Sequence, residues 1–209
     1  MGTGEIMIDT IVLDLDDTLN SLTMHLLGQL GANVLPYDYA LYPSDCQYDI
    51  IAAWSELTGR PKPSVPDFWE MVTRGMWACA PKSEQFWLLN VCGKLVGREN
   101  VIIATVPTKS ADCVAGKHDW IMRHLPVWCQ RQYNITPRKQ FLAHTGVLLI
   151  DDSAANCAKF LKKKDGTTSG ASSIICPRPW NPLSDVDCDG YLRRQLGKFF
   201  PDQIDNAGK

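Results

Sequence analysis

The chain predicts an α/β fold built on a parallel, Rossmann-like sheet, and three observations carry that reading. Short apolar, β-branched runs at residues 10–13, 101–104, 147–150 and 173–176 have the length and composition of buried strands. Helix-like stretches at about 111–124, 154–163 and 190–199 follow the later runs, an alternation that favours parallel strands with helices on the faces. Polar residues stand where the runs end, and in such sheets ligands bind beyond the carboxyl ends of the strands.

The first run, Thr10-Ile11-Val12-Leu13, leads into the acidic turn Asp14-Leu15-Asp16-Asp17-Thr18. Residues 20–98 then break the alternation. They hold helix-like segments from Tyr48 to Leu57 and from Pro66 to Trp77, punctuated by Pro36, Pro43, Pro61, Pro63 and Pro66. This is the pattern of a mostly helical insertion after the first strand. The second run, Val101-Ile102-Ile103-Ala104, ends at Thr105. The third, Val147-Leu148-Leu149-Ile150, ends at Asp151-Asp152, and the fourth, Ser173-Ile174-Ile175-Cys176, at Pro177. The tract from Asp165 to Ser173 has the composition of a flexible loop.

A length of 209 residues suits one core domain with a smaller insertion, and 45% hydrophobic residues suffice for a sizeable core. The net charge is −2 and the longest basic run is Lys162-Lys163-Lys164, read as a solvated helix end. Stable nucleic-acid binding is disfavoured, since it needs many clustered cations. The eight cysteines form no C-x-x-C pair and the four histidines no H-E-x-x-H, so spacing argues against zinc. No window approaches 18 uncharged apolar residues, which excludes a membrane span. No secretory signal is visible, so free thiols in a reducing cytoplasm are expected.

If the strand ends are neighbours, Asp14, Asp16, Asp151 and Asp152 converge. Two carboxylates about 4 Å apart repel by roughly 4 kcal/mol at an effective dielectric near 20. Such a cluster calls for a cation, a shared proton or basic neighbours. All-oxygen ligands suit Mg²⁺. A single aspartate in such a place is ordinarily a turn or helix cap. D-x-D-x-T after one buried strand together with D-D after another is not a capping pattern.

The stretch Ile11 to Leu19 resembles the first motif of the haloacid dehalogenase superfamily, Thr105 its second, and Leu149-Ile150-Asp151-Asp152 its fourth; a lysine supplies the third. A narrower resemblance is to the 5′(3′)-deoxyribonucleotidases and their phage and bacterial relatives. It rests on Ala104 to Lys109, on the K-x-x-W step Lys117-His118-Asp119-Trp120, and on Leu148 to Asp152 followed by Cys176-Pro177-Arg178-Pro179-Trp180-Asn181. Val106 departs from the family, which usually has a small hydroxyl residue there. That leaves Thr105 with more of the phosphate contact.

The resemblance implies a core of residues 1–19 and 99–209 with a helical cap at 20–98. It implies hydrolysis of nucleoside monophosphates, chiefly deoxyribonucleotides, with Asp14 as nucleophile and Asp16 as acid and base. Thr105, Lys109 and Lys117 would hold the phosphate. Arg138 and Lys139 rival Lys117 for neutralising it. Magnesium would bind Asp14, the Asp16 carbonyl and Asp152, with Asp151 orienting the shell. The insertion is rich in aromatics, Trp54, Phe68, Trp69, Trp77, Phe86 and Trp87 among them. Trp69 is the expected stacking partner of a base, and Tyr48, Asp49 and Ile50 are further candidates for its pocket. A sugar phosphate is the alternative substrate. A nonhydrolytic nucleotide-binding module is the third reading, and the intact Asp14/Asp16 pair argues against it. The oligomeric state is open, a homodimer being allowed, and the expected compartment is the cytoplasm, the host's if the gene is phage-borne.

Overall fold

The computed structural model describes residues 7–163, 165–201 and 203–204; Lys164, the last of the basic triplet, lies outside them. Strand β1 spans Thr10–Asp14. Five helices follow: α1 (Leu22–Gln29), α2 (Ile50–Thr58), α3 (Val65–Glu70), α4 (Arg74–Ala78) and α5 (Leu88–Val96). The chain then runs through β2 (Val101–Thr105), α6 (Ala111–His124), β3 (Tyr133–Ile135), β4 (Val147–Asp151), α7 (Ala154–Phe160), β5 (Ser172–Ile175) and α8 (Cys188–Phe199).

All strand pairs are parallel and the sheet order is β3-β2-β1-β4-β5. The chain moves outward from β1 to β3, then crosses back to β4 on the other side. That reversal leaves a crevice at the carboxyl end of β1. The register places Asp14 beside Ala104 and Leu13 beside Ile150, so the ends of β1, β2 and β4 lie abreast. Ile11, Val12, Leu13, Ile103, Leu148, Leu149 and Ile150 have no exposure, as strands covered on both faces require.

Three expectations need correction. The three-residue strand β3 was not foreseen. It is half-exposed at the sheet edge and lacks the continuous apolar run of the central strands. The segment from Pro66 to Trp77 forms two short helices, because Thr73 takes extended backbone and opens α4 anew. The stretch 154–163 stops at Phe160, and Lys162 pairs with Thr168 in an antiparallel bridge, so the expected loop is a closed turn.

Side-chain caps set several helix starts. Asp49 accepts from the backbone N–H groups of Ile51 and Ala52, Ser110 from Asp112, Ser153 from Asn156 and Asp187 from Gly190. Helix α4 packs against α6 at Gly116, where a Cβ would stand 2.3 Å from the Trp77 Cβ and 2.7 Å from the Arg74 carbonyl oxygen. Only glycine admits that approach. It brings Trp77 over the neighbouring Lys117, whose ammonium lies 5.2 Å from the ring centre. Helix α5 packs on β1 and β2, and one hydrophobic cluster runs from the sheet through Trp54, Phe68, Trp77 and Leu88. Among the described residues no helix is long and apolar enough to cross a membrane.

Candidate active site

Asp14 is the last residue of β1, and Asp151 and Asp152 stand at the end of β4. All three are buried, and one carboxylate oxygen from each lies within 4.8 Å of the others. Lys139 is buried among them. Its ammonium donates to Asp14 Oδ1 and, at 2.7 Å, to Asp151 Oδ2. Burial pulls the Lys139 pKa down, but the two carboxylates outweigh it and hold the group above the usual lysine range. Burial pushes Asp14 up to about 7, with Asp151 and Asp16 adding to the rise against Lys139. Burial likewise holds Asp152 well above the usual carboxylate range, and the Asp14, Asp17 and Asp151 charges add to it.

The two tandem acids are held differently. Asp151 accepts from the Ser153 backbone N–H at 2.8 Å, on both oxygens from the Asn156 amide nitrogen at 3.2 Å, and from Lys139. Asp152 Oδ2 accepts from the Trp180 indole, while its Oδ1 is buried with no partner. An orphaned buried carboxylate oxygen is costly unless something cationic meets it. Three carboxylates and one ammonium also leave two negative charges uncompensated when all are ionised. Both features fit a divalent cation bound by oxygen ligands.

The Asp16 carboxylate has other partners. Its Oδ2 accepts from Lys117 and, at 3.0 Å, from the Thr105 hydroxyl. Lys117 is buried and also donates to Thr105 Oγ1 at 2.8 Å and to the Val106 carbonyl at 2.5 Å. The two lysines make different contacts: Lys139 touches the Asp14 carboxylate and Lys117 touches Asp16. Arg138 is exposed and lies over the Phe141 ring.

A cavity of about 300 Å³ opens onto Asp14 and Asp16, at the lower end of small-ligand sites. Lys117, Lys139, Tyr48, Ile50 and Trp69 line it. Trp69 stacks on Trp77 with ring centres 5.6 Å apart. Three of the residues expected to contact the substrate do not border the cavity. Asp49 caps α2 and pairs with Lys62 at 2.5 Å. Lys109 is exposed and borders no part of the cavity. Thr105 is fully buried behind it, its hydroxyl occupied between Asp16 and Lys117.

Several lining residues were not singled out from the sequence: Asp17, Thr23, Thr108, Ser153, Asn156 and Trp180. Asp17 had a signal. It follows D-x-D at a turn, and it takes the left-handed conformation with φ 56°, which Asp tolerates better than most residues. Its carboxylate accepts from the Thr23 hydroxyl at 2.6 Å and backbone N–H at 3.0 Å. Burial still pushes it up to about 6. Asn156, a residue on one turn of α7, had none.

A family model described as 5′ nucleotidase, deoxy (pyrimidine), cytosolic type C protein matches residues 8–170. No curated protein matches the chain. Among solved structures, a HAD-family hydrolase from Deinococcus radiodurans R1, with bound phosphate and sodium, aligns with a TM-score of 0.51 at 14% identity, covering 93% of this chain and 97% of that one. A haloacid dehalogenase-like hydrolase from Bacteroides fragilis aligns with a TM-score of 0.39 at 12% identity, covering 80% and 97%.

Proposed function

Because this chain belongs to the 5′ nucleotidase, deoxy (pyrimidine), cytosolic type C family of phosphoric monoester hydrolases, we propose that it hydrolyses deoxyribonucleoside monophosphates to nucleoside and phosphate with the help of Mg²⁺. The observation that carries the proposal is the placing of two acids on one turn. Asp14 is the buried end of β1, and Asp16 opens on the same cavity with Lys117 against it. One carboxylate is sited to attack and the other to move a proton.

In the first step an Asp14 oxygen bonds to phosphorus and the ester P–O bond breaks, while Asp16 gives its proton to the departing oxygen. In the second, Asp16 takes a proton from water, the water oxygen bonds to phosphorus, and the Asp14–phosphorus bond breaks. Asp14, Asp152 and the Asp16 carbonyl would hold Mg²⁺, which when bound supplies positive charge against the phosphoryl oxygens. Lys139 keeps Asp14 and Asp151 together. Lys117 orients Asp16 and offers a cation to the phosphate from the cavity wall. Thr105 supports that pair rather than the phosphate. Residues 20–98 act as a cap whose Trp69, Tyr48 and Ile50 meet the base.

A phosphatase screen over nucleoside monophosphates and sugar phosphates, with and without Mg²⁺, tests this reading. Turnover of deoxyribonucleotides only with the metal supports it. Turnover of sugar phosphates alone would keep the chemistry and overturn the substrate, and turnover of neither would overturn both.

A further inference from the structure

Trp180 lies in the connection between β5 and α8, and its indole Nε1 donates to Asp152 Oδ2 at 2.7 Å. The main chain of Asp152 is held from the same loop, since Asn181 Nδ2 donates to the Asp152 carbonyl at 2.9 Å and to the Cys176 carbonyl at 2.8 Å. Asp152 Oδ1 is buried and has no hydrogen-bond partner among the described residues. The Trp180 ring is itself wedged. Tyr42 meets it edge-on with ring centres 5.0 Å apart, and Tyr39 and Tyr48 do so at 6.1 and 6.3 Å. All three tyrosines come from the segment between β1 and β2, and Tyr42, Tyr48 and Trp180 border the substrate cavity.

We propose that Trp180 is a positioning residue for the divalent cation: it takes one oxygen of Asp152 and so presents the other to the metal. The inference rests on the metal-dependent reading of the site. The chemistry of the donor explains why a tryptophan serves here. An indole N–H is a neutral donor with no acceptor function. It fixes the carboxylate without cancelling the negative charge that draws a cation. A lysine in the same place would do the opposite, as Lys139 does for Asp151. The two tandem acids thus divide the work. Asp151 shares the Lys139 ammonium with Asp14 and accepts hydrogen bonds on both oxygens, while Asp152 is held by a neutral donor and kept half free. The ring contacts add a second link. The aromatic wall that borders the substrate cavity also stops the indole from turning away from Asp152.

The test is Mg²⁺ titration by calorimetry without substrate, on wild type, Trp180→Phe and Trp180→His. Phenylalanine keeps the ring against the tyrosines and deletes only the N–H. Its Mg²⁺ affinity is expected to fall about 10- to 100-fold, the usual effect of losing a partner that orients a metal ligand, with the melting temperature in EDTA little changed. Histidine returns a ring N–H and is expected to recover part of the affinity. Equal affinities in wild type and Trp180→Phe overturn the role of Trp180 while leaving the metal site standing. A wild-type protein that binds no Mg²⁺ overturns both. If the variants do not fold, the Trp180 indole N–H resonance of the wild type decides: it shifts on Mg²⁺ titration if the inference holds, and an unmoved resonance overturns it.

Discussion

Lys139 stands 2.7 Å from Asp151 and also donates to Asp14, so one buried ammonium ties the end of β1 to the end of β4. Burial pushes Asp14 up to about 7 even against this ammonium, so removing it leaves buried carboxylates without their cation. Lys139→Met should therefore destabilise the metal-free protein by about 3–5 kcal/mol, the usual cost of removing one partner of a buried pair. For a chain of this size that is a fall of roughly 6 to 20 °C in melting temperature. Mg²⁺ should recover more of the melting temperature in the variant than in wild type. Thermal unfolding with EDTA and with Mg²⁺ reads both effects, and an unchanged transition would show that Lys139 compensates nothing.

Asp14→Asn keeps the shape of the side chain but removes the attacking carboxylate. Turnover is expected to drop by several orders of magnitude, with the protein still folded by circular dichroism. Near-normal turnover in a folded variant would sink the covalent route.

Removal of divalent metal with EDTA should abolish activity and added Mg²⁺ should restore it. Asp152→Ala should weaken Mg²⁺ binding more than it lowers the melting temperature, because the side chain gives up a single hydrogen bond, Oδ2 to the Trp180 indole, while Oδ1 makes none. Full activity in metal-free buffer would remove the cation from the mechanism, and restoration by Zn²⁺ alone would reassign it.

Trp69 lies against Trp77 and borders the cavity, so its outer face is available to a base. Trp69→Ala is expected to raise KM for nucleotides by about 5- to 100-fold, from the ~1–3 kcal/mol of a base–aromatic contact. Hydrolysis of a generic aryl phosphate should change much less. Equal losses for both substrates would assign Trp69 to packing alone.

His25 offers a stability measurement that is independent of the site's carboxylates. Burial holds its pKa below the ordinary 6.5, against a backbone hydrogen bond at Met76 that raises it. As pH falls through 6.5 the unfolded chain takes up this proton while the folded chain resists, so stability is lost from there downward. Denaturant titrations at pH 7.5 and 5.5 should show a smaller acid loss for His25→Gln than for wild type. Equal losses would mean that His25 charges freely in the folded state.

The sequence by itself determined the parallel core and the acids that stand at its strand ends. The runs that became β1, β2 and β4 are central, and burial on both faces leaves an apolar signature that single residues cannot blur, while β5, at the sheet edge, was legible from Ile174 and Ile175. Asp14, Asp16, Asp151 and Asp152 could be read because each stands at a fixed step beyond such a run. What the sequence could not supply was anything that depends on the rotation of a side chain or on contact across the chain. Lys117 and Lys139 were interchangeable as cations 22 positions apart; only packing decided that one meets Asp16 and the other Asp14. Thr105, Lys109 and Asp49 had suitable chemistry, but a buried hydroxyl bond, solvent exposure and a helix cap directed them elsewhere. Trp180 shows the limit most clearly. It stood in a stretch already noticed for its resemblance, yet its role depends on an indole meeting an acid 28 residues away. Propensity and pattern are local properties of a chain, whereas a donor's choice of acceptor is settled by the fold that brings distant segments together.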